Sequence, residues 1–408
     1  MRCIDEVDVK NKTIVLRIDI NSPVENGKPI LSKKIKQHSK TIKELSEKGA
    51  KQVVLSHQGR KGDDTFISLE GHAELMSKLI GKRISFCAWD EDYVSEIKEL
   101  TAGDILFLDN TRFLDYETKE NSPEEHAKTE LVKKIAPVAD YFVLDALAIA
   151  HRSHASVVGF TPVLKSFAGP LLKKEMEALN KTNVCEKPRV LILGGSKTKD
   201  SIKLMKNMLK HKEVETVLLG GIIGELFLKA SGTDLGKKEE WLKEKEFFQF
   251  LDLAKELIET HDQQIVYPAD VAVEENTQRK EIDVENLPSE NMIFDIGERT
   301  SNLYEVFIKR AKLIIYNGPM GMYENPRFAL GTKRLAQSIV DSEAYSVLGG
   351  GDTETAVNEL GFDSEEFSHV SMAGKACLKY LSGDKLAGLE ALEQNNGAGC
   401  IEKPKWMK

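Results

Sequence analysis

Arginine follows three of the apolar runs in the first half of the sequence. Arg60 lies in the segment SHQGR, Arg112 in DNTRF and Arg152 in DALAIAHRSH, and each segment comes directly after such a run. If the runs are neighbouring parallel strands, the arginines meet at one sheet edge, where ligands of open α/β sheets bind. Converging guanidinium groups bind phosphate and carboxylate through paired hydrogen bonds. The pattern therefore indicates a site for a small anion.

Other interpretations of these polar groups stay open. A single arginine after a strand is usually the partner of a surface ion pair. Three at similar positions, near His57, His151 and His154, favour a shared site. The spacing of the last two histidines is compatible with a metal, but no cysteine or acidic residue completes a recognisable ligand set. We expect Asp19, at the end of the first strand, to orient an arginine or bind a substrate hydroxyl.

Glycine-rich turns follow the apolar runs of the second half. Gly194 and Gly195 precede Lys197 and a predicted helix at 202–209, so the backbone can approach a phosphate at a helix N-terminus. This turn is neither a Walker A loop nor a dinucleotide fingerprint. Similar turns recur at 220–221, 317–321, 349–353 and 371–375. Turns at successive strand ends predict one extended ligand, such as a nucleotide.

Asp352 stands at the start of a predicted helix beside this phosphate region. Mg²⁺ in proteins usually takes one or two carboxylates together with phosphate oxygens, so Asp352 is a candidate Mg²⁺ ligand. A simple N-cap is the alternative, because aspartate is favoured at that position.

Short β-branched runs alternate with amphipathic segments, which is typical of βαβ units and a mostly parallel sheet. The first half has predicted strands at 13–20, 52–55, 105–108 and 141–144 and predicted helices at 35–48, 69–79 and 123–135. After a predicted helix at 170–181, strands recur at 190–193, 216–219, 264–267, 292–294, 313–315, 346–348 and 367–370. The predicted fold class is α/β, with two halves divided near residues 165–180.

Three net acidic segments, 237–256, 274–290 and 381–393, are predicted to be solvated helices or loops. The glycine-broken tail, GAGCIEKPKWMK, is predicted to be non-helical. Composition alone does not decide whether this tail folds back onto the first half of the chain.

The 408 residues, 41% hydrophobic and 30% charged, indicate a globular protein and exclude collagen-like, disordered and disulfide-scaffold classes. A net charge of −8 provides no overall basic surface for nucleic acid. The five scattered cysteines indicate a reducing compartment. The longest apolar stretch, 217–228, is shorter than the ~20 residues of a membrane helix, and the first residues do not form a signal peptide. We therefore expect a cytoplasmic protein without nucleic-acid or membrane partners.

Taken together, the strand-end segments resemble those of phosphoglycerate kinases. The resemblance runs end to end and in order through VLRIDINSP, SHQGR, LDNTRF, LDALAIAHRSHASVVGF, LILGGSKTKDSI, NGPMGMYE, GGGDT and FSHVS. Each segment alone is weak evidence, but eight in register are specific. The form SHQGR and the pair Asp200 and Ser201 are most similar to archaeal members.

The resemblance implies two doubly wound, Rossmann-like parallel-sheet domains that face each other across a cleft and close by hinge bending. It implies a 3-phosphoglycerate-binding domain at 1–168, a hinge helix at 169–182, a nucleotide-binding domain at 183–385 and a C-terminal segment, 386–408, that could return to the first domain.

The resemblance also implies the residues of two substrate sites. The 3-phosphoglycerate site comprises Asp19, Asn21, Lys34, His57, Arg60, Arg112 and Arg152. The nucleotide site comprises Gly194, Gly195, Lys197, Ser201, Gly220, Gly221, Asn317, Pro319, Glu324, Gly350, Gly351, Asp352 and Thr353. Within it, Gly220 and Gly221 are expected at the adenine, Glu324 near the ribose and Asp352 on Mg²⁺. The candidate catalytic residues are Lys34, Lys197, Gly374 and Lys375.

The implied reaction is reversible, in-line phosphoryl transfer between 1,3-bisphosphoglycerate with ADP and 3-phosphoglycerate with ATP, a step of glycolysis and gluconeogenesis. Because the acceptor carboxylate is already ionised, catalysis needs positioning and charge neutralisation rather than a strong general base. Mg²⁺ with ATP or ADP is the implied cofactor. A monomer and a homodimer are both compatible with the sequence.

Three positions depart from the family pattern. Lys34 stands where the family has an arginine; it keeps the charge but loses the planar fork, and two flanking lysines leave the register open. Ser201 replaces a lysine found in many members. The segment 371–375, SMAGK, replaces Ser-Thr-Gly-Gly-Gly, whose amides cradle the migrating phosphate. We hypothesise that Lys375 restores the charge lost at Ser201.

Two other functions are kept as alternatives. One is a kinase for a different phosphorylated carboxylic acid. The other is a catalytically weakened paralogue that binds nucleotide or phospho-acid, which the changes at Lys34 and 371–375 motivate. A dehydrogenase is disfavoured, because no G-x-G-x-x-G opens a helix with an acidic residue ~20 positions further on.

Overall fold

The computed structural model describes residues 2–396. These residues form two units: unit 1 comprises the chain up to Glu177 together with the segment that begins at Lys385, and unit 2 comprises Ala178–Asp384. The division between Glu177 and Ala178 lies within one helix, Pro170–Lys181. Each unit contains a six-stranded parallel sheet, which confirms the predicted α/β fold class.

The parallel sheet of unit 1 has the strand order β5-β6-β4-β1-β7-β8. All five residues of β1 are buried, as expected for a strand covered on both faces of a sheet. A small hairpin, β2–β3, lies outside the sheet. The strands are β1 Thr13–Arg17, β2 Val24–Glu25, β3 Lys28–Pro29, β4 Lys51–Leu55, β5 Ser85–Cys87, β6 Ile105–Leu108, β7 Tyr141–Leu144 and β8 Lys165–Ala168.

The helices of unit 1 connect these strands and bury their apolar faces on the sheet. In α1, for example, Ile35, Ile42 and Leu45 recur at helical spacing and join the core that Ile14 and Leu16 of β1 contribute. The helices are α1 Lys33–Glu47, α2 Glu70–Ile80, α3 Tyr93–Glu99, α4 Pro123–His126, α5 Glu130–Ile135, α6 Ala155–Val158 and α7 Pro170–Lys181, with 3-10 turns at Ile4–Glu6, Thr111–Phe113, Ala136–Val138 and Leu147–Ile149.

Unit 2 contains two sheets. Its parallel sheet has the order β11-β10-β9-β15-β16-β17, the arrangement of a doubly wound fold, and its antiparallel sheet has the order β13-β12-β14. The strands are β9 Arg189–Leu193, β10 Thr216–Leu219, β11 Ile265–Val266, β12 Asp270–Glu275, β13 Gln278–Asp283, β14 Ile293–Ile296, β15 Leu313–Asn317, β16 Tyr345–Gly349 and β17 His369–Val370.

The helices of unit 2 are α8 Thr198–Lys210, α9 Gly221–Ala230, α10 Lys237–Glu244, α11 Leu251–His261, α12 Glu298–Arg310, α13 Leu330–Val340, α14 Gly351–Glu359 and α15 Lys375–Leu381, with 3-10 turns at Phe247–Phe250, Val284–Asn286, Pro326–Phe328 and Ser364–Glu366. The chain then re-enters unit 1 as α16, Ala387–Asn396. There Asn395 Oδ1 accepts a hydrogen bond from the Ser166 amide of β8, and the Gly388 amide donates to Ala150. The predicted tail, 397–408, lies outside the described residues.

Two predicted elements of unit 1 are shorter in the structure. The strand predicted at 13–20 ends at Arg17. The Ile18 amide still donates to the Leu55 carbonyl of β4, but the Asp19 amide donates to His38 Nε2 and the Ile20 amide to Ser56 Oγ. The helix predicted at 123–135 is broken after His126, because the Thr129 hydroxyl bonds the His126 carbonyl and the second helix starts from Thr129.

Two predictions for unit 2 were wrong. The strand predicted at 292–294 was expected to belong to the parallel sheet, but the corresponding strand, β14, belongs to the antiparallel sheet. The acidic segment 274–290 was predicted as helix or loop. In the structure, residues 274–283 form the end of β12, the hairpin turn and β13. Asn276 and Thr277 both have positive φ, which a two-residue hairpin turn requires. Within residues 2–396, no helix is long and apolar enough to cross a membrane.

Candidate functional site

The chain order reverses inside each parallel sheet, and ligands of open α/β sheets bind at the carboxyl edge at such a switch point. In unit 1 the reversal lies between β1 and β7, and in unit 2 between β9 and β15. Most of the predicted site residues follow the carboxyl ends of parallel strands in both units.

The three predicted arginines of unit 1 are brought together. Arg60, Arg112 and Arg152 line one open cavity of about 390 Å³, with Lys61, Leu114, Asp115 and Thr118 completing its wall. Burial, followed by the charges of Arg152, Arg17 and Arg60, lowers the pKa of Arg112 to about 10. The guanidinium groups therefore repel one another, and an anion in the cavity would relieve that repulsion.

Asn21 holds the turn that carries Arg60. Its Oδ1 accepts a hydrogen bond of 2.9 Å from the Gly59 amide, and Arg112 donates from Nη1 to the Gly59 carbonyl. Asn21 and Arg112 thus fix the backbone of Gly59, next to Arg60. The structure adds this positioning role to the binding role expected of Asn21 and Arg112.

Arg17 was not predicted as a site residue, yet its charge acts on Arg112 of the cavity wall. It is 1% exposed, and it donates from Nε to Ser156 Oγ at 2.8 Å, while its Nη2 lies 3.2 Å from His57 Nδ1. Ser156 in turn donates to the buried Glu117 at 2.5 Å. The available signal was an arginine inside the apolar run TIVLRIDI, where a charge must find a buried partner.

His57 and His154 do not contribute positive charge at neutral pH. Burial, reinforced by the arginines, lowers the pKa of His154 to about 3 and holds the pKa of His57 well below its ordinary range. His151 is half-buried in the same segment. In residues 2–396 no group of three or more His, Cys, Asp and Glu side chains is arranged to hold a metal ion.

Lys34 pairs with Asp19 at the end of β1. Its Nζ lies 2.5 Å from Asp19 Oδ2, and Asp19 is only 3% exposed. Burial, the largest single influence, raises the pKa of Asp19, but the charge and hydrogen bond of Lys34 together with the nearby His57 and His38 outweigh it, so the pKa lies below the ordinary value. Lys34 therefore lies in the first turn of α1 and pairs with a predicted substrate residue.

Because arginines rather than histidines carry the charge, we predict that sulfate binds unit 1 with little pH dependence. Sulfate stays a dianion, so its Kd should change by less than about twofold between pH 5.5 and 8, measured by calorimetry. Histidines with an ordinary pKa near 6.5 would instead lose their charge over this range, and affinity would fall steadily as pH rises. A tenfold fall would contradict this description of the site.

The glycine turns of unit 2 meet around the segment that follows β15. The Gly195 amide donates to the Pro319 carbonyl at 2.7 Å, the Gly221 amide to Met320 at 2.8 Å, and the Gly318 amide to Thr353 Oγ1 at 2.7 Å. The turns after β9, β10, β15 and β16 are therefore joined at one sheet edge. The predicted residues lie in these turns or in the first turn of the helices that follow them: Gly194, Gly195, Gly220, Gly221, Pro319, Gly350, Gly351 and Thr353.

Lys197 and Asp352 form an ion pair at this edge. Lys197 Nζ lies 2.8 Å from Asp352 Oδ2, and both side chains are about half exposed. Lys197 is the N-cap residue of α8, and Asp352 lies in the first turn of α14. The N-cap of α14 is Gly350, so the simple N-cap interpretation of Asp352 was wrong.

Asn317 and Ser201 are in contact at the same edge of the sheet. Asn317, 4% exposed at the end of β15, donates from Nδ2 to Ser201 Oγ at 3.3 Å. Glu324 is exposed on the segment after β15. The structure therefore places Ser201 among the predicted nucleotide residues.

The altered segment 371–375 carries its lysine to the same region. Lys375 Nζ lies 3.0 Å from Asp200 Oδ2, next to Ser201 in α8. Within this segment only Gly374 has a positive φ, at +51°, whereas Met372 and Ala373 do not. The glycine that the backbone requires is thus retained, and the two substitutions introduce no left-handed strain.

Comparison with known proteins identifies the family. The sequence matches the profile of phosphoglycerate kinase over residues 4–384. The phosphoglycerate kinase of Methanopyrus kandleri is 41% identical, with 97% of this chain and 98% of the relative covered. That of Sulfolobus acidocaldarius is 40% identical, with 95% of each covered.

Solved structures agree with the sequence relatives. Phosphoglycerate kinase from Pyrococcus horikoshii matches with a TM-score of 0.89 and 36% identity, covering 97% of this chain and 99% of that one. The enzyme from Coxiella burnetii matches with a TM-score of 0.83 and 33% identity, covering 96% and 98%. The fold and these matches define a phosphotransferase. The chain belongs to the phosphoglycerate kinase family, as its strand-end segments predicted.

Proposed function

We propose that the chain catalyses reversible phosphoryl transfer between 1,3-bisphosphoglycerate with ADP and 3-phosphoglycerate with ATP. The observation that carries this proposal is the cavity of unit 1, where Arg60, Arg112 and Arg152 converge without a balancing carboxylate for each. Such a cavity suits a small ligand that bears both phosphate and carboxylate. Family membership supplies ATP or ADP as the second substrate.

In this proposal, unit 1 binds 3-phosphoglycerate. The three arginines bind its phosphate, while Asp19, Asn21 and the neutral His57 orient its hydroxyl and carboxylate. His57 is suited to this task because its low pKa leaves it uncharged: its Nδ1 accepts from Arg17, which leaves the Nε2–H group to donate a hydrogen bond. Lys34, held by Asp19, supplies positive charge near the carboxylate that accepts the phosphoryl group.

Unit 2 binds the nucleotide in this proposal, and Asp352 would hold Mg²⁺. The donor set fits that ion, because one half-exposed carboxylate beside phosphate-binding turns is what Mg²⁺ commonly uses. Mg²⁺ bound there would neutralise phosphate charge. Lys197, paired with Asp352 in the structure, would then be free to bind a phosphate oxygen. Glu324 would bind the ribose, and Gly220 and Gly221 would border the adenine.

The proposed reaction needs no general base on either unit. The acceptor is a carboxylate that is ionised at neutral pH, so no proton has to leave it during the transfer. The contribution of the chain is to hold the two reactants in line and to neutralise the charge of the migrating group. Lys34 in unit 1 and Lys197 in unit 2 carry this role, and Lys375, which follows Gly374, adds a further positive charge in unit 2.

Lys375 is proposed to replace the lysine that many members have at position 201. We predict that Lys375→Ala lowers kcat about tenfold, because one charge-assisted hydrogen bond to the transferring group is lost. The matched control is Lys379→Ala, one turn further along α15. Steady-state kinetics with saturating substrates measures the effect, and unchanged turnover in the Lys375 variant would contradict the role.

A coupled assay that follows ADP formation from MgATP tests the proposed function. We expect turnover with 3-phosphoglycerate and none above background with 2-phosphoglycerate or phosphoglycolate. Preference for another phosphorylated acid would reassign the acceptor. Calorimetric binding of both ligands without turnover would instead support a weakened, binding paralogue.

A further inference from the structure

A buried carboxylate anchors the segment 318–331, which follows β15. Asp295, 3% exposed in β14, accepts a hydrogen bond at Oδ2 from the Gly331 amide at 2.9 Å. Its Oδ1 accepts another from the Ile296 amide at 2.9 Å. The segment runs alongside β14, since the Met322 amide donates to the Phe294 carbonyl at 2.8 Å. Asp295 is thus joined to the segment near its far end.

The segment also wraps closely around this carboxylate. A Cβ atom on Gly321 would lie 2.3 Å from Asp295 Oδ1, and one on Gly331 would lie 2.4 Å from the same atom. No side chain fits at either position without displacing the carboxylate. The path of the segment therefore depends on Asp295 at two points about ten residues apart.

Arg279 completes the arrangement from the β12–β13 hairpin. Its Nη1 donates to Asp295 Oδ2 at 2.8 Å and to the Arg327 carbonyl, inside the segment, at 3.1 Å. Its Nη2 donates to Ile296 at 2.8 Å and to Glu281 at 2.9 Å. One guanidinium group therefore links the hairpin, β14 and the segment.

The near end of the same segment joins the glycine turns. Gly318, Pro319 and Met320 make the hydrogen bonds to Thr353, Gly195 and Gly221 described above. Among the described residues, neither Asp295 nor Arg279 has a hydrogen bond to the turns after β9, β10 or β16. The segment is therefore the hydrogen-bonded connection between these two residues and those turns.

We propose that Asp295 and Arg279 are positioning residues that set the nucleotide-binding turns through the segment 318–331. This inference rests on the proposed function of unit 2 as the nucleotide site. Burial raises the pKa of Asp295 to about 6, against the opposing effects of Gly331 and Arg279. A pKa raised by folding means that the ionised carboxylate of Asp295 is less stable in the folded chain than in the unfolded chain. Near neutral pH the charge of Asp295 therefore does not stabilise the fold, which argues against a purely structural role.

The test compares Asp295→Asn with a matched control, Asp270→Asn. Asp270 is another buried aspartate of the antiparallel sheet, 4% exposed, whose carboxylate accepts the amides of Arg299 and Thr300 at the start of α12. It has the same kind of hydrogen bonds but does not contact the segment. Melting temperature, Kd for ADP and Kd for 3-phosphoglycerate are measured for both variants and the unmodified chain.

We expect Asp295→Asn to raise the Kd for ADP about tenfold, while the Kd for 3-phosphoglycerate changes less than about twofold. Asp270→Asn should lower the melting temperature but leave both constants unchanged. Unchanged ADP binding in folded Asp295→Asn would overturn the inference. If Asp295→Asn does not fold, Arg279→Lys is measured instead, because it keeps the positive charge but loses the paired hydrogen bonds of the guanidinium group. The same changes in the Kd for ADP and for 3-phosphoglycerate are then expected. Failure of the unmodified chain to bind ADP would instead overturn the proposed function.

Discussion

Replacing Lys34 by methionine should lower kcat by about 100-fold or more, because the proposed transfer would lose a positive charge beside the acceptor carboxylate. Lys34→Arg should restore most of the activity, since it returns the charge together with the planar fork. Lys36→Met is the matched control: Lys36 is exposed on the same helix. Steady-state kinetics at saturating MgATP and 3-phosphoglycerate measures the effect.

A loss of stability in Lys34→Met can be separated from the loss of catalysis. Lys34 lowers the pKa of Asp19, so the pair stabilises the fold above the ordinary aspartate pKa, and this contribution disappears as pH falls through the lowered value. The melting temperatures of variant and unmodified chain should therefore differ at pH 7 and converge at low pH. Full activity in Lys34→Met at a temperature where it is folded would contradict the assigned role.

Replacing Asp352 by asparagine should reduce kcat/KM for MgATP by about 100-fold or more, because the proposed Mg²⁺ site would lose its carboxylate. Binding of ATP without metal should not weaken, since Lys197 would no longer be held by an opposite charge. Calorimetry with Mg²⁺ and with a chelator distinguishes these effects.

The control for Asp352 is Glu359→Gln, which removes a carboxylate from the exposed end of the same helix. It should leave both MgATP kinetics and metal-free binding unchanged. An Asp352→Asn variant that weakens metal-free ATP as much as MgATP would show that the carboxylate shapes the pocket rather than holding the ion.

The sequence predicted most strand ends well because the six-stranded sheet of each unit is parallel. Buried parallel strands are short apolar runs that are easy to recognise, and their carboxyl ends share an edge whatever the order of strands. Arg60, Arg112 and Arg152 could therefore be brought to one site without knowledge of the topology. The prediction that β14 belongs to the parallel sheet was wrong, because a buried antiparallel strand can also be a short apolar run and the sequence does not distinguish the two.

Long-range pairing could not be predicted. Lys375 and Asp200 lie 175 positions apart, and Arg17 meets Ser156 across 139 positions, so no local pattern connects them. The role of Asp295 was also invisible, since its partners Arg279 and Gly331 come from different elements. Such contacts depend on the packing of the finished fold.

Trapping the acyl phosphate tests direct phosphoryl transfer to a carboxylate most directly. The chain is incubated with MgATP, 3-phosphoglycerate and hydroxylamine, which converts an acyl phosphate into a stable hydroxamate. We predict hydroxamate and ADP in equal amounts, and neither when 3-phosphoglycerate is omitted. ADP with free phosphate but no hydroxamate, or no ADP at all, would contradict the account.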